Sequence, residues 1–310
     1  MTRTHLIIPC TANKSLGSNS CLELSQVAQG DLEESLKAWL ELCEDASELK
    51  RADELYRGQA FKRLKVLSQD FGLKLHIMSA GFGLVSSETP LPNYNATFSP
   101  GENSVPLPTS EWWRSITSSC ELSTSFNKLV SEHPGEHFII CASNEYLKAI
   151  QKDLLDTFEI LESTGAYISV VAINVPQTLK PYESSFLKVS NRIFNHPRCS
   201  TFGLSKTAQH VTSMATCLLV EALSDTKDTF DAIIARLKSE IAALEKPESK
   251  KRQPQDDEFI RKFIDSYLEK SVKPSKTGVL REYRQSGYAC EQKKLYRLYH
   301  NQLDKRKDIK

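Results

Sequence analysis

Four short, mostly apolar runs, at 5–9 (HLIIP), 74–79 (KLHIMS), 137–141 (HFIIC) and 167–175 (YISVVAINV), end in turn-forming or charged residues. Their length and β-branched content predict strands. Between them, apolar residues recur three and four positions apart over 32–43, 52–68, 112–130 and 145–158, which predicts amphipathic helices. Strand alternating with helix predicts an α/β fold of three layers with a mostly parallel sheet. Two further helical stretches, 204–223 and 230–246, are expected to pack against that sheet. Residues 246–256 are charged, contain proline and lack a core-forming pattern, so they read as a linker. Beyond it, 257–270 and 275–303 show helical spacing broken at Ser286-Gly287, the outline of a helix-turn-helix. The expected organisation is therefore an α/β domain over 1–245, a linker over 246–256 and a small helical domain over 257–310.

Composition adds two constraints. Of the 310 residues 40% are hydrophobic, enough for a large core, yet no uninterrupted apolar stretch has the length of a membrane span and the first residues lack the pattern of a signal peptide. A cytoplasmic protein with no membrane partner is expected. The eight cysteines form no C-x-x-C pair and the histidines no helical pair at metal-ligand spacing, so no metal site and no disulfide framework is expected. Charge is divided unevenly. From Lys246 onward 18 Lys and Arg face 10 Asp and Glu, a net of +8, whereas residues 1–245 carry 22 against 29, a net of −7. A basic tail on an acidic body suits a polyanion such as DNA, and it equally suits a solubilising tail. Within the tail, Lys276, Arg281, Arg284, Lys293, Lys294 and Arg297 are the candidate phosphate contacts, with Tyr296 and Tyr299 interleaved on the last helix.

In parallel sheets ligands bind beyond the carboxyl ends of the strands, so the loops there carry the candidate chemistry. After the first strand, "PCTANKS" brings Pro9, Cys10, Asn13 and Lys14 together with small residues that let backbone N–H groups converge on a polar ligand. After the second, 79–101 (SAGFGLVSSETPLPNYNATFSPG) offers close backbone approach at Gly81 and Gly83, a hydroxyl at Ser79, aromatic faces at Phe82 and Tyr94, and a carboxylate at Glu88. A planar guest with hydrogen-bonding edges, such as a nucleobase, suits that mixture; an ordinary irregular loop has the same composition. After the third, Ser143, Asn144 and Glu145 have the character of a helix N-cap and also place polar groups at the same end of the sheet. Gly58 interrupts a helical pattern where close packing or ligand approach is expected, and Arg57 beside it is a candidate phosphate contact.

The ordered set "IIPCTANKS", "LYRGQAF", "IMSAGFGLVSSETPLPNY" and "CASNEYLKAI", spanning roughly residues 5 to 175, resembles the YaaA peroxide-stress family and the catalytic domain of archaeosine synthase, a branch of the uracil-DNA-glycosylase-like superfamily. The resemblance implies that superfamily's three-layer fold and action on nucleic acids or their modified bases. In overall plan the chain looks similar to a phage-defence DNA glycosylase that excises glucosylated hydroxymethylcytosine. Relatives often carry Tyr-Asp-x-Thr where this chain has Tyr94-Asn95-Ala96-Thr97, so Asn95 is an amide at a position implied to hold a carboxylate. The base role then falls to Glu88 or, by positioning water, to Asn13. "NHPRCS" resembles the His-Pro-Ser motif of uracil glycosylases, which makes His196 and Arg198 candidate DNA contacts.

The expected function is hydrolysis of the N-glycosidic bond of a modified base to leave an abasic site, in anti-phage defence, without metal, cofactor or obligate protein partner. Phe82 and Tyr94 would sandwich the extruded base, and Lys14 and Asn144 would face the departing base anion. Two alternatives stay open: a non-catalytic DNA-binding protein, and a transferase acting on a 7-deazaguanine base.

Overall fold

The computed structural model describes residues 3–15, 21–27, 30–225, 228–247 and 252–307. The chain divides into two compact units, Met1–Pro247 and Glu248–Lys310. The first is built on a six-stranded sheet: β1 (Thr4–Pro9), β2 (Lys74–Ser79), β3 (Gly83–Ser86), β4 (His137–Cys141), β5 (Tyr167–Ala172) and β6 (Phe186–Lys188). The spatial order is β6-β5-β4-β1-β2-β3, with every pairing parallel except that of β3 with β2. Leu6, Ile7 and Ile8 of β1 and Phe138, Ile139, Ile140 and Cys141 of β4 are fully buried. Continuous burial is what a central parallel strand covered on both faces requires.

The longer helices of this unit are α1 (Leu32–Glu44), α2 (Gln59–Asp70), α3 (Thr109–Ser119), α4 (Phe126–Glu132), α5 (Asn144–Phe158), α6 (Val211–Asp225) and α7 (Phe230–Ala243). From β1 the chain steps to β2 on one side, and from β4 it steps to β5 on the other. Crossovers of one hand running in opposite directions place their helices on opposite faces of the sheet. Accordingly α2 and α6 pack on one another, α2 against β1 and β2 and α6 against β4 and β5, while α5 packs with α3 and α4. The α/β class and mostly parallel sheet read from the pattern are the observed ones. The strand order reverses between β1 and β4, and in open α/β sheets the carboxyl ends at such a point are where ligands bind.

Several expected elements break. The helix expected over 52–68 is interrupted at Tyr56-Arg57-Gly58, because Lys14 pairs with Tyr56 in an antiparallel bridge and α2 starts only at Gln59. A Cβ at Gly58 would stand 2.7 Å from Thr11 Cγ2, so the glycine serves close packing of these two loops. The pattern over 112–130 splits into α3 and α4, with Thr124 N donating to Leu84 O at 2.9 Å and Ser125 capping α4. The helix expected from 204 begins at Val211. All eight cysteines are free thiols.

The second unit holds α8 (Asp257–Lys270), α9 (Lys276–Gln285) and α10 (Gln292–Lys307) around Ile260, Ile264, Val279, Tyr283, Leu295 and Leu298. Its helices are not joined by a tight turn. After Gly287, at φ +88°, Tyr288–Ala289 pairs in parallel with Gln253–Pro254, so part of the segment read as a linker is a strand of this unit. Residues 248–251 of that segment lie outside the described residues. Tyr299, interleaved with the basic residues of the last helix, is 3% exposed and belongs to the core with Leu295 and Leu298. Among the described residues no helix is long and apolar enough to cross a membrane.

Candidate functional site

Groups from several loops gather at the carboxyl ends of β1 and β4, where the strand order reverses. Cys10 follows β1 directly; its N–H donates to Met78 O at 2.8 Å, and its Sγ lies 2.9 Å from the Tyr146 hydroxyl on the first turn of α5. The thiol thus spans the reversal point of the sheet. The chain then folds back on the 55–58 segment, where Arg57 N donates to Asn13 O at 2.8 Å and Ser15 N to Leu55 O at 2.7 Å. That closure carries Lys14 inward and leaves the Asn13 side chain exposed.

Beneath Lys14 runs a chain of buried hydroxyls. Tyr56 and Tyr94 share a hydrogen bond of 2.7 Å, and Tyr94 shares another of 2.7 Å with Ser79 Oγ. Ser79 Oγ also accepts from Phe82 N at 2.9 Å and Gly81 N at 3.2 Å. Two indoles hold this loop from behind: Trp39 Nε1 donates to Gly81 O at 2.7 Å and Trp112 Nε1 to Ala80 O at 2.8 Å. The Lys14 ammonium sits 4.2 Å from the Tyr94 ring centroid and 5.7 Å from that of Tyr56, a cation–π arrangement. Burial lowers its pKa below the ordinary 10.5, opposed by Cys10, Cys21 and Glu23. Burial pushes the phenols of Tyr56, Tyr94 and Tyr146 well above their ordinary range, so they are neutral donors.

A carboxylate absent from the sequence-based set completes the group. Leu22–Glu23 pairs with Tyr94–Asn95, and Glu23 Oε2 accepts from Asn95 Nδ2 at 3.0 Å and Asn103 Nδ2 at 2.7 Å. Asn95 is therefore an amide that holds a neighbouring carboxylate. Glu23 lies in a stretch without motif or periodicity, and its partners are 72 and 80 residues away, so nothing local marks it. Tyr56 and Tyr146 fall inside the quoted motifs but show their role only through contacts.

Pro9, Cys10, Asn13, Lys14, Ser79, Gly81 and Tyr94 lie together at the carboxyl ends of β1 and β2. Ser143, Asn144 and Glu145 stand at the same edge, after β4. Ser143 Oγ caps α5 by accepting from Tyr146 N at 3.5 Å, Glu145 pairs with Lys148 at 3.2 Å, and Asn144 Oδ1 accepts from Asn174 Nδ2 at 3.3 Å. Arg57 is exposed beside the Asn13 loop.

Other expected positions are corrected. Because β3 runs antiparallel along β2, it carries the chain to the opposite edge of the sheet: Ser87 N donates to Leu75 O, and Glu88, its side chain 73% exposed, pairs with Arg51 at 3.5 Å. Glu88 cannot act with Lys14. Phe82 and Tyr94 pack edge to face with centroids 5.0 Å apart, so they form one wall and leave no slot between them for a base. Gly83, at φ +69°, makes the turn into β3, and a Cβ there would lie 2.2 Å from Ser123 Oγ. Arg198 is engaged by Asp225 at 3.0 Å and Glu221 at 3.4 Å, and His196 Nδ1 accepts from Arg198 N at 3.3 Å. In the second unit Lys294 pairs with Asp257 at 2.6 Å, and the Lys276 ammonium lies 5.5 Å from the Tyr296 ring. Lys293, Arg281 and Arg297 are exposed, and Arg284 is half-buried.

The site can hold an anionic or hydrogen-bonding planar group against Lys14 and the tyrosine hydroxyls, with a fixed carboxylate nearby. Compared with known protein families, curated proteins and solved structures, the chain matches none of them.

Proposed function

We propose that the chain is a DNA glycosylase of the uracil-DNA-glycosylase-like type, cleaving the N-glycosidic bond of a bulky modified cytosine such as glucosylated hydroxymethylcytosine in phage DNA. The observation that carries this reading is the convergence of Lys14, the Tyr56–Tyr94–Ser79 hydroxyl chain and Glu23 where the sheet reverses direction. Leaving of the base builds negative charge on the base and positive charge on the sugar. Lys14, desolvated and held over Tyr94, is the group placed to stabilise the base anion. Glu23, oriented by two amides, is the carboxylate that activates water, the role for which Glu88 stands on the wrong edge. The basic second unit supplies phosphate contacts through Arg281, Lys293 and Arg297.

The test is incubation with duplexes containing uracil, hydroxymethylcytosine or glucosylated hydroxymethylcytosine, followed by alkali. Strand breaks are expected at the glucosylated base, and Lys14→Met and Glu23→Gln should each slow their appearance by about 10²–10³-fold with the circular dichroism spectrum retained. DNA binding without breaks on any substrate would replace this reading with that of a non-catalytic binder; base alteration without abasic sites would replace it with a transferase.

A further inference from the structure

The edge of the sheet opposite the candidate site carries a second cluster. His5, at the start of β1, has a fully buried side chain and is stacked on Phe138 with ring centroids 4.5 Å apart. Its Nε2 lies 2.5 Å from Glu136 Oε2, and His133 Nδ1 lies 3.7 Å from the same oxygen. One ligand atom from each of His5, His133 and Glu136 falls within 4.8 Å of the others. His133 and Glu136 flank the Pro134-Gly135 turn before β4, whose backbone is pinned by Gly135 N donating to Thr164 O at 2.9 Å and Tyr167 N donating to Glu136 O at 3.1 Å. On the far side of the His5 ring, Nδ1 is 2.9 Å from His76 Nε2 on β2.

We propose that His5, His133 and Glu136 form a three-ligand site for one divalent transition-metal ion of the zinc class, with an open fourth position. This inference is independent of the glycosylase reading. Two imidazoles and a carboxylate are the donor set such ions take, whereas calcium and magnesium require all-oxygen ligands. Metal–ligand bonds of about 2.0–2.2 Å in tetrahedral geometry hold donor atoms roughly 3.4 Å apart. The His5–Glu136 contact therefore opens by about 1 Å, the His133–Glu136 contact closes slightly and the His5–His133 pair, within 4.8 Å, closes by at most about 1.4 Å, movements within reach because the His133 and Glu136 side chains are 29% and 19% exposed. That exposure also provides the entry path and room for water as the fourth ligand.

The surroundings supply what a ligating histidine needs on its other nitrogen. In the ion-free protein the Glu136 carboxylate can only accept, so a neutral His5 ring carries its proton on Nε2 and its Nδ1 accepts from His76 Nε2–H. With an ion on His5 Nε2, the His5 proton sits on Nδ1 and is donated to His76 Nε2, while the His76 proton moves to its own Nδ1. Each ring keeps one proton, so the exchange of tautomers balances without proton release. Such a partner fixes ring orientation and ligand basicity. Lys74, whose ammonium is 3.9 Å from Glu136 Oε2, is the one cation facing the cluster among the described residues; at 36% side-chain exposure it has room to turn toward solvent. The ion would clip the start of β1 to the turn before β4.

The experiment is calorimetric titration of chelator-treated full-length protein with zinc chloride, paralleled by cobalt(II) absorption. Expected are one ion per chain, a raised melting temperature with zinc, and cobalt bands without a thiolate charge-transfer band. His133→Ala and Glu136→Gln, both at partly exposed positions, should weaken zinc binding at least tenfold, whereas His300→Ala in the second unit should not change it. Absence of saturable uptake, unchanged affinity in both cluster variants, or a thiolate band placing the ion on cysteines would each overturn the assignment.

Discussion

Tyr94 shows how much one residue can carry. Its hydroxyl joins Ser79 to Tyr56, its ring meets Phe82 edge to face, and the Lys14 ammonium lies 4.2 Å from its centroid. Gly81 has to be glycine because a Cβ would stand 2.9 Å from two atoms of that ring. Tyr94→Phe keeps the ring and deletes the bridge, leaving two buried hydroxyls each short of a partner. The expected cost is about 1–3 kcal/mol, read as a lower denaturant midpoint at unchanged slope. Ser79, Lys14 and Tyr94 were legible in the sequence because small and aromatic residues cluster in loops that follow apolar runs. Glu23 was not, because its meaning comes from Asn95 and Asn103, and chain separation of that kind leaves no local trace.

At the scale of elements, one buried carboxylate ties three helices. Asp153 of α5 accepts from Trp113 Nε1 of α3 at 2.9 Å and from Phe126 N and Asn127 N of α4 at 3.1 and 3.5 Å. Burial raises its pKa above the ordinary 3.8, and the three donors pull the other way. A carboxyl whose pKa is higher folded than unfolded contributes most stability below the unfolded value and loses it as pH rises through the folded one. Asp153→Asn should therefore flatten the stability profile from pH 3.8 upward, measured as unfolding free energy against pH. Asp153→Ala leaves the donors unpaired at any pH and should cost about 2–4 kcal/mol. The break between α3 and α4 escaped the periodicity because apolar spacing continues on both sides of it. What stops the helix is the pairing of Thr124 with Leu84 on β3, a tertiary contact.

For the whole molecule, the two units have separate hydrophobic cores and opposite charge. Each core closes without residues from the other, so removal of 248–310 should leave the first unit folding cooperatively, seen as a single thermal unfolding transition. Under the proposed function the same truncation should weaken DNA binding and flatten the dependence of log K on log salt, because the slope counts displaced phosphate counterions. An affinity and slope equal to those of the full chain would remove the DNA-binding role from the second unit.

Hydrophobic periodicity alone determined the α/β class, the four long strands, most helices and a compact basic helical tail, since burial imposes a period on any chain that forms layers. It also marked which loops fall at the carboxyl edge. Tertiary structure decided the rest: that β3 turns back and takes Glu88 to the far edge, that Phe82 and Tyr94 touch instead of flanking a gap, and that Glu23 and Asn95 meet. It likewise gathered His5, His76, His133 and Glu136, residues from two strands and a turn with no shared spacing. Strand order and direction are set by the packing of whole layers, and side-chain chemistry becomes a site only after that packing brings distant residues within bonding distance.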